Sequence, residues 1–234
     1  MIVTDRFVFL HLHKSGGTFV NECLLRFVPG ARQLGYHLPR SMLPAHYARL
    51  PVLGMVRNPW SYYVSWYAFQ SQQPKGNVLF QVASDNAALD FGATVRNLLE
   101  LGSAGSSGHR KLDALVRALP AGYGGGGFNV PGPVIEGLRD SKLGLYSFLY
   151  RHILGEQGDA QVGRLERLSA DLLQMLSAVD QPVSEDMRAF IEQQAPRNRS
   201  AHEDYTAYYD EELRALVAER DAAIIARHGY RFGN

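Results

Sequence analysis

Phe7-Val8-Phe9-Leu10-His11-Leu12-His13-Lys14-Ser15-Gly16-Gly17-Thr18-Phe19 passes from an apolar run, through a small polar turn, into an amphipathic run. Phe7 to Leu12 has the near-continuous apolar character of a buried strand, and Thr18 to Phe27 has helical periodicity. A turn between a buried strand and a helix start aims backbone N–H groups and a positive dipole end at an anion. Gly16 and Gly17 let the backbone approach such an anion, and Lys14 adds a point charge. Thr18 carries a hydroxyl suited to capping the helix or to an anion oxygen. The order differs from the GxxxxGK[ST] phosphate loop, whose glycines precede the lysine.

The pattern recurs at Val52 to Val56, then Arg57-Asn58-Pro59, then a helical run from Trp60 to Phe69. Arg57 directly follows the strand, where its planar fork can take a phosphate bidentately. Pro59 sets the turn at the helix start. Ser65 falls inside the helix, either as an ordinary helical serine or facing the same anion as Arg57. Two such turns predict a ligand with two separate phosphates.

His11-Leu12-His13-Lys14-Ser15-Gly16-Gly17-Thr18 and Arg57-Asn58-Pro59 through Ser65 resemble two motifs of the sulfotransferases that use 3′-phosphoadenosine 5′-phosphosulfate (PAPS). Those motifs read PKxGT or HxPKxGGT for the 5′-phosphosulfate and RNPxxxxxS for the 3′-phosphate. Between them, Tyr36-His37-Leu38-Pro39 with Met42-Leu43-Pro44 is similar to the HLPxxLLP stretch that carries the family's catalytic histidine. His13 replaces the motif's proline, and Gly35 stands where the family has a lysine. Further on, residues 162–168 resemble the family's late strand, with Leu165 in place of an adenine-contacting tyrosine, so Phe19 becomes the aromatic candidate for the base. Arg197-Asn198-Arg199-Ser200, with Tyr208-Tyr209 and the ending 229–232, looks like the tail of bacterial carbohydrate-type members.

The resemblance implies a single domain, 1–234, with a P-loop-like three-layer α/β fold and a central parallel sheet of four or five strands. It implies sulfuryl transfer from PAPS to a hydroxyl, less readily an amine, of a small-molecule or saccharide acceptor, without a metal. Lys14 would neutralise the leaving phosphate, and Ser15, Gly16, Gly17 and Thr18 would cradle the phosphosulfate. Arg57 and Ser65 would hold the 3′-phosphate, closed over by Arg197 or Arg199 unless these form an exposed charged turn. His37 would act as general base, a role suited to an imidazole titrating near neutrality. A small-molecule kinase and a non-catalytic nucleotide-binding protein remain as alternatives. Ser15 suits the kinase's metal-binding hydroxyl, whereas Arg57 occupies a strand end where a kinase needs an acid.

Composition is consistent with these expectations. With 234 residues, 46% of them hydrophobic, the chain can build a full core. Lys plus Arg number 24 against 23 Asp plus Glu, a balance that argues against a dedicated nucleic-acid binder and a long polyanionic acceptor. The single cysteine, Cys23, excludes an internal disulfide and reads as a small core residue. No leader pattern precedes the first strand and no long apolar run follows, so the resemblance is to a soluble cytoplasmic form without a membrane anchor. His11 and His13 share a strand face like a metal pair, but no third ligand stands at a suitable spacing.

Elsewhere, helices are predicted for Asp90 to Leu101, Leu112 to Leu119, Lys142 to Leu154, Ala170 to Val179, Glu185 to Gln194 and Asp210 to Arg227. Residues 102–108 and 122–127 read as glycine-rich loops. Tyr62, Trp66 and Phe69 form a predicted core face of their helix, with Tyr63 and Tyr67 as pocket candidates. Glu166 is expected to hold a neighbouring loop or to serve as a base.

Overall fold

The computed structural model describes residues 1–124, 127–156, 158–194 and 204–233. In chain order the elements are β1 (Ile2–Val3), β2 (Val8–Leu10), α1 (Gly17–Phe27), β3 (Arg32–Gln33), β4 (Val52–Val56), α2 (Pro59–Ser71), α3 (Val78–Ala83) and α4 (Phe91–Leu99). There follow α5 (Ser106–Ala118), α6 (Gly132–Ile135), α7 (Leu145–Leu154), β5 (Gln161–Arg164), α8 (Leu168–Ala178), α9 (Glu185–Gln194), α10 (Glu211–Arg220) and α11 (Ala222–His228). The chain divides into two compact units, Met1–Arg57 with Tyr150–Arg199, and Asn58–Leu149 with Ser200–Asn234.

All five described strands lie in the first unit, in the order β3-β1-β2-β4-β5. The sheet's centre is parallel as expected, β2 pairing with β4 and β4 with β5. Strand β1 departs from that expectation: it runs antiparallel to both its neighbours, β2 and β3, so it alone is reversed among the five described strands. The cause is a tight turn at Thr4, whose hydroxyl donates to the Phe7 carbonyl at 2.8 Å and accepts the Phe7 N–H at 2.9 Å. A connection this short can join only antiparallel strands.

Strand alternation distributes the side chains. Phe9 of β2, with Leu53 and Met55 of β4, joins a core built with Val20, Cys23 and Leu24 of α1, Leu172 and Leu176 of α8, and Met187 and Ile191 of α9. Gly54 faces the other side, where a β-carbon would lie 2.7 Å from Leu154 at the end of α7. Helices therefore cover both faces of the sheet. Cys23 is an apolar core residue, its thiol pushed up to about 12 by burial and then by the Glu22 charge.

The second unit is organised by α2, whose Trp60, Tyr62, Tyr63, Val64, Ser65 and Trp66 are all buried. Tyr63 is no pocket residue: its hydroxyl donates to Asp221 Oδ2 at 2.8 Å, inside the core. Phe69, predicted as core, is 47% exposed. Asp221 has no exposed surface and accepts the Ser147 N–H at 2.9 Å, capping the first turn of α7 from a distant part of the chain. That inward turn of Asp221 splits the single helix predicted for Asp210 to Arg227 into α10 and α11.

The predicted loop at 102–108 holds for residues 102–105, whereas 106–108 already form the start of α5. Gly108 packs so closely that a β-carbon would lie 2.7 Å from the Glu100 carbonyl oxygen. Among the described residues, no helix is long and apolar enough to cross a membrane.

Candidate functional site

The Lys14 turn leaves β2 and enters α1 through two glycines with separate structural reasons. Gly16 has φ 83°, and a β-carbon there would meet Leu165 at 2.7 Å. Gly17 lies flat under the His11 ring, so a β-carbon would fall 2.1 Å from His11 Cδ2. Gly16 is the helix N-cap and no described side chain caps α1. Thr18 lies in the first turn, exposed. Of the two roles open to its hydroxyl, capping the helix is therefore not the one seen. Ser15 is buried and donates its hydroxyl hydrogen to the His13 carbonyl at 3.0 Å, so its side chain shapes the turn.

Lys14 itself has φ 52°, a left-handed backbone that is strained for a lysine. Burial, and next the charge of Arg57, lower its pKa to about 8. The Arg57 guanidinium donates from Nη1 to the Lys14 carbonyl at 3.5 Å, which brings the two cation-bearing segments together at the carboxyl ends of adjacent parallel strands. Ligands of open α/β sheets occupy this end.

His37 joins the same place from the segment after β3. Its Nδ1 lies 2.9 Å from the His11 carbonyl oxygen, which can only accept, so Nδ1 carries the hydrogen and Nε2 the lone pair. Its backbone is also left-handed, with φ 52°. The His13 ring stacks on it, and the His11 ring stands 4.4 Å away, tilted by 55°. Burial pushes His37 down to about 4 against the opposing effect of its bond to the His11 backbone. Burial, and then the His37 charge, push His11 down to about 2. Both rings are neutral at neutral pH. Arg40 clamps the His37 segment by a two-pronged salt bridge to Asp159, with Nη2 2.9 Å from Oδ2.

Phe19 is corrected: it is a core residue, its ring stacked 5.2 Å from Phe190 at an interplanar angle of 4°. The second turn is corrected too, because Asn58 caps α2 by accepting the Trp60 N–H at 3.1 Å and the Ser61 N–H at 3.4 Å. Its helix start therefore satisfies its own donors, so the Arg57 side chain is what that turn keeps of the anion site expected from the sequence. Ser65 is buried in α2 of the second unit. Arg197 and Arg199 lie outside the described residues. Glu166 is exposed, and at the β5 end Asp171 accepts the Arg164 N–H at 2.8 Å. The sequence reading missed His13 as a partner of His37 and Asn21 as a partner of His11, 3.3 Å from its Nδ1.

No protein-family model matches the chain, and no curated protein matches it in sequence. Among solved structures, mouse sulfotransferase SULT7A1 complexed with PAP is similar at a TM-score of 0.50 and 13% sequence identity, over 97% of this chain and 90% of that chain. The likeness establishes the fold: a central five-stranded sheet with a parallel core, covered by helices, of the P-loop-like sulfotransferase type.

Proposed function

We propose that the protein transfers a sulfuryl group from PAPS to a hydroxyl of a small-molecule or saccharide acceptor, with His37 as the general base. The observation that carries this reading is the juxtaposition of a neutral histidine, its Nε2 lone pair defined by the bond from Nδ1, with the turn that bears Lys14. The donor set suits a doubly anionic nucleotide. Two cations are near enough to repel, and an anion between them relieves that repulsion. The uncapped start of α1 supplies backbone donors beside them.

PAPS, when bound, supplies a sulfuryl group activated by its link to phosphate. His37 takes the acceptor's hydroxyl proton at Nε2. Lys14 holds positive charge where negative charge grows on the leaving phosphate oxygen. Backbone groups of Gly16 to Thr18, with the Thr18 hydroxyl, hold the phosphosulfate end, and Arg57 holds the 3′-phosphate. Ser65, Arg197 and Arg199 enter this reading through their sequence motifs alone. Because burial holds His37 near 4, the base stays competent through mild acid, and its acid limb falls near pH 4 instead of near neutrality.

The test pairs nucleotide binding with transfer. Stabilisation by adenosine 3′,5′-bisphosphate, with labelled sulfuryl transfer from PAPS across a panel of phenols, alcohols and saccharides, is the expected result. His37→Ala should leave the bisphosphate affinity intact and lower turnover by about 10²–10⁴-fold. Stabilisation by ATP with Mg²⁺ alone would instead indicate a kinase, and binding without any transfer a non-catalytic protein. Near-normal turnover in His37→Ala would remove this residue as the base.

A further inference from the structure

His13 stands one residue before Lys14, and its ring lies flat on that of His37, centroids 3.7 Å apart and planes 13° from parallel. The side chain is 6% exposed, and its backbone is anchored by the Ser15 hydroxyl. One hydrogen bond, from His37 Nδ1 to the His11 carbonyl, fixes an edge of the His37 ring but not its plane. The other rings stand at an angle, His11 at 55° and Tyr36 at 50° with its centroid 6.2 Å away. Only the parallel His13 ring defines the plane among these neighbours.

The stack also joins two strained places. Lys14 and His37 both hold left-handed backbone, and His13 is covalently next to one and packed on the other. Non-glycine residues keep such conformations only where their surroundings impose them.

We propose that His13 is a positioning residue acting through His37: its stacked ring sets the plane of the base and ties it to the Lys14 turn. The proposal rests on the transfer reading for what the base does, whereas the stacking itself is independent of that reading. In-line transfer needs the base and the cation at the leaving group in a fixed relation, and a displacement of about 1 Å can cost about 10²-fold in rate. The titratable groups around His37 are His11, His13, Tyr36 and the Met1 ammonium, which donates to the Gly35 carbonyl.

The test compares His13→Phe, which keeps a flat ring, with His13→Leu and His13→Ala, which do not. Ligand-free protein carrying labelled histidine is titrated by NMR, with the His37 signal assigned by its loss in His37→Gln. His13→Phe should titrate like wild type. In His13→Leu and His13→Ala the freed ring should swing toward water and titrate closer to the ordinary value of about 6.5. With PAPS and the acceptor panel, kcat should fall about 10²-fold in the latter two, recover in His13→Phe, and leave the KM for PAPS unchanged. An unchanged His37 titration in His13→Leu and His13→Ala overturns the proposal, and so does a phenylalanine variant that behaves like leucine. If His13→Ala does not fold, the leucine–phenylalanine contrast decides alone. If the titrations move as expected while wild type transfers nothing, the positioning stands and the sulfuryl-transfer reading fails.

Discussion

Gly17→Ala should destabilise the sheet-bearing unit even though alanine is the better helix former. Gly17 opens α1, so the exchange gains up to about 1 kcal/mol in helix propensity. Against that gain, the new β-carbon would sit 2.1 Å from Cδ2 and 2.5 Å from Nε2 of His11, a ring only 4% exposed. Overpacking a filled site costs about 1–3 kcal/mol. Displacing His11 also breaks its 3.3 Å contact with Asn21 Nδ2 and leaves a buried amide unsatisfied, at about 1–3 kcal/mol more. The net loss should be about 1–6 kcal/mol, read as a lowered urea midpoint at unchanged m-value. Adding His11→Ala opens the space, so the double variant should be more stable than the sum of the singles by about 1–3 kcal/mol. Equal stability of Gly17→Ala and wild type, or strict additivity in the double variant, would refute the reasoning.

Arg57→Ala should weaken adenosine 3′,5′-bisphosphate binding by about 2–4 kcal/mol in calorimetry and barely change adenosine 5′-phosphate binding; equal losses would mean Arg57 does not read the 3′ group. Lys14 has a pKa lowered to about 8 in the free protein, and a bound anion raises it, so bisphosphate affinity should hold below pH 8 and decline above it. Lys14→Arg should abolish that decline, and a flat wild-type profile from neutral to alkaline pH would contradict the assignment. Asp221 is fully buried, which raises its pKa from 3.8 to about 6. The folded state keeps a proton that the unfolded chain has already lost, so this group's contribution falls as pH rises from about 4 to about 6, by on the order of 3 kcal/mol. Asp221→Asn should flatten that dependence in the hydrogen-exchange protection of α7, and an unaltered dependence would show that the carboxylate is not its source.

Legibility in the sequence followed the range of the interactions. The strand Val52–Val56 matches its predicted bounds, and α1 and α2 begin within a residue of theirs, because apolar runs and helical spacing are written in neighbouring residues. The turn with Lys14, Gly16 and Gly17 was equally readable, although the reason for Gly17 was not. Its missing β-carbon makes room for the His11 ring, and nothing local to Gly17 announces that ring. Strand β1 escaped notice since two residues carry no period, and its direction follows from the hydroxyl bonds of Thr4. Phe19 looked like a ligand aromatic from its place after the turn, yet it stacks on Phe190, far along the chain.

By itself the sequence determined the strands and helices with strong local patterns, β2, β4, α1 and α2 among them, and placed a lysine, a histidine and an arginine beside the turns and motifs that the resemblance links to anion chemistry. Tertiary structure decided which of these groups meet. His37 reaches the Lys14 turn only because β3 and the segment after it bring residues 26 apart within 2.9 Å of each other. Tyr63 is withdrawn into the core by Asp221, 158 residues away. The protonation states of His11, His37, Lys14 and Asp221 were likewise beyond sequence, since burial shifts each of them most and burial belongs to the folded chain.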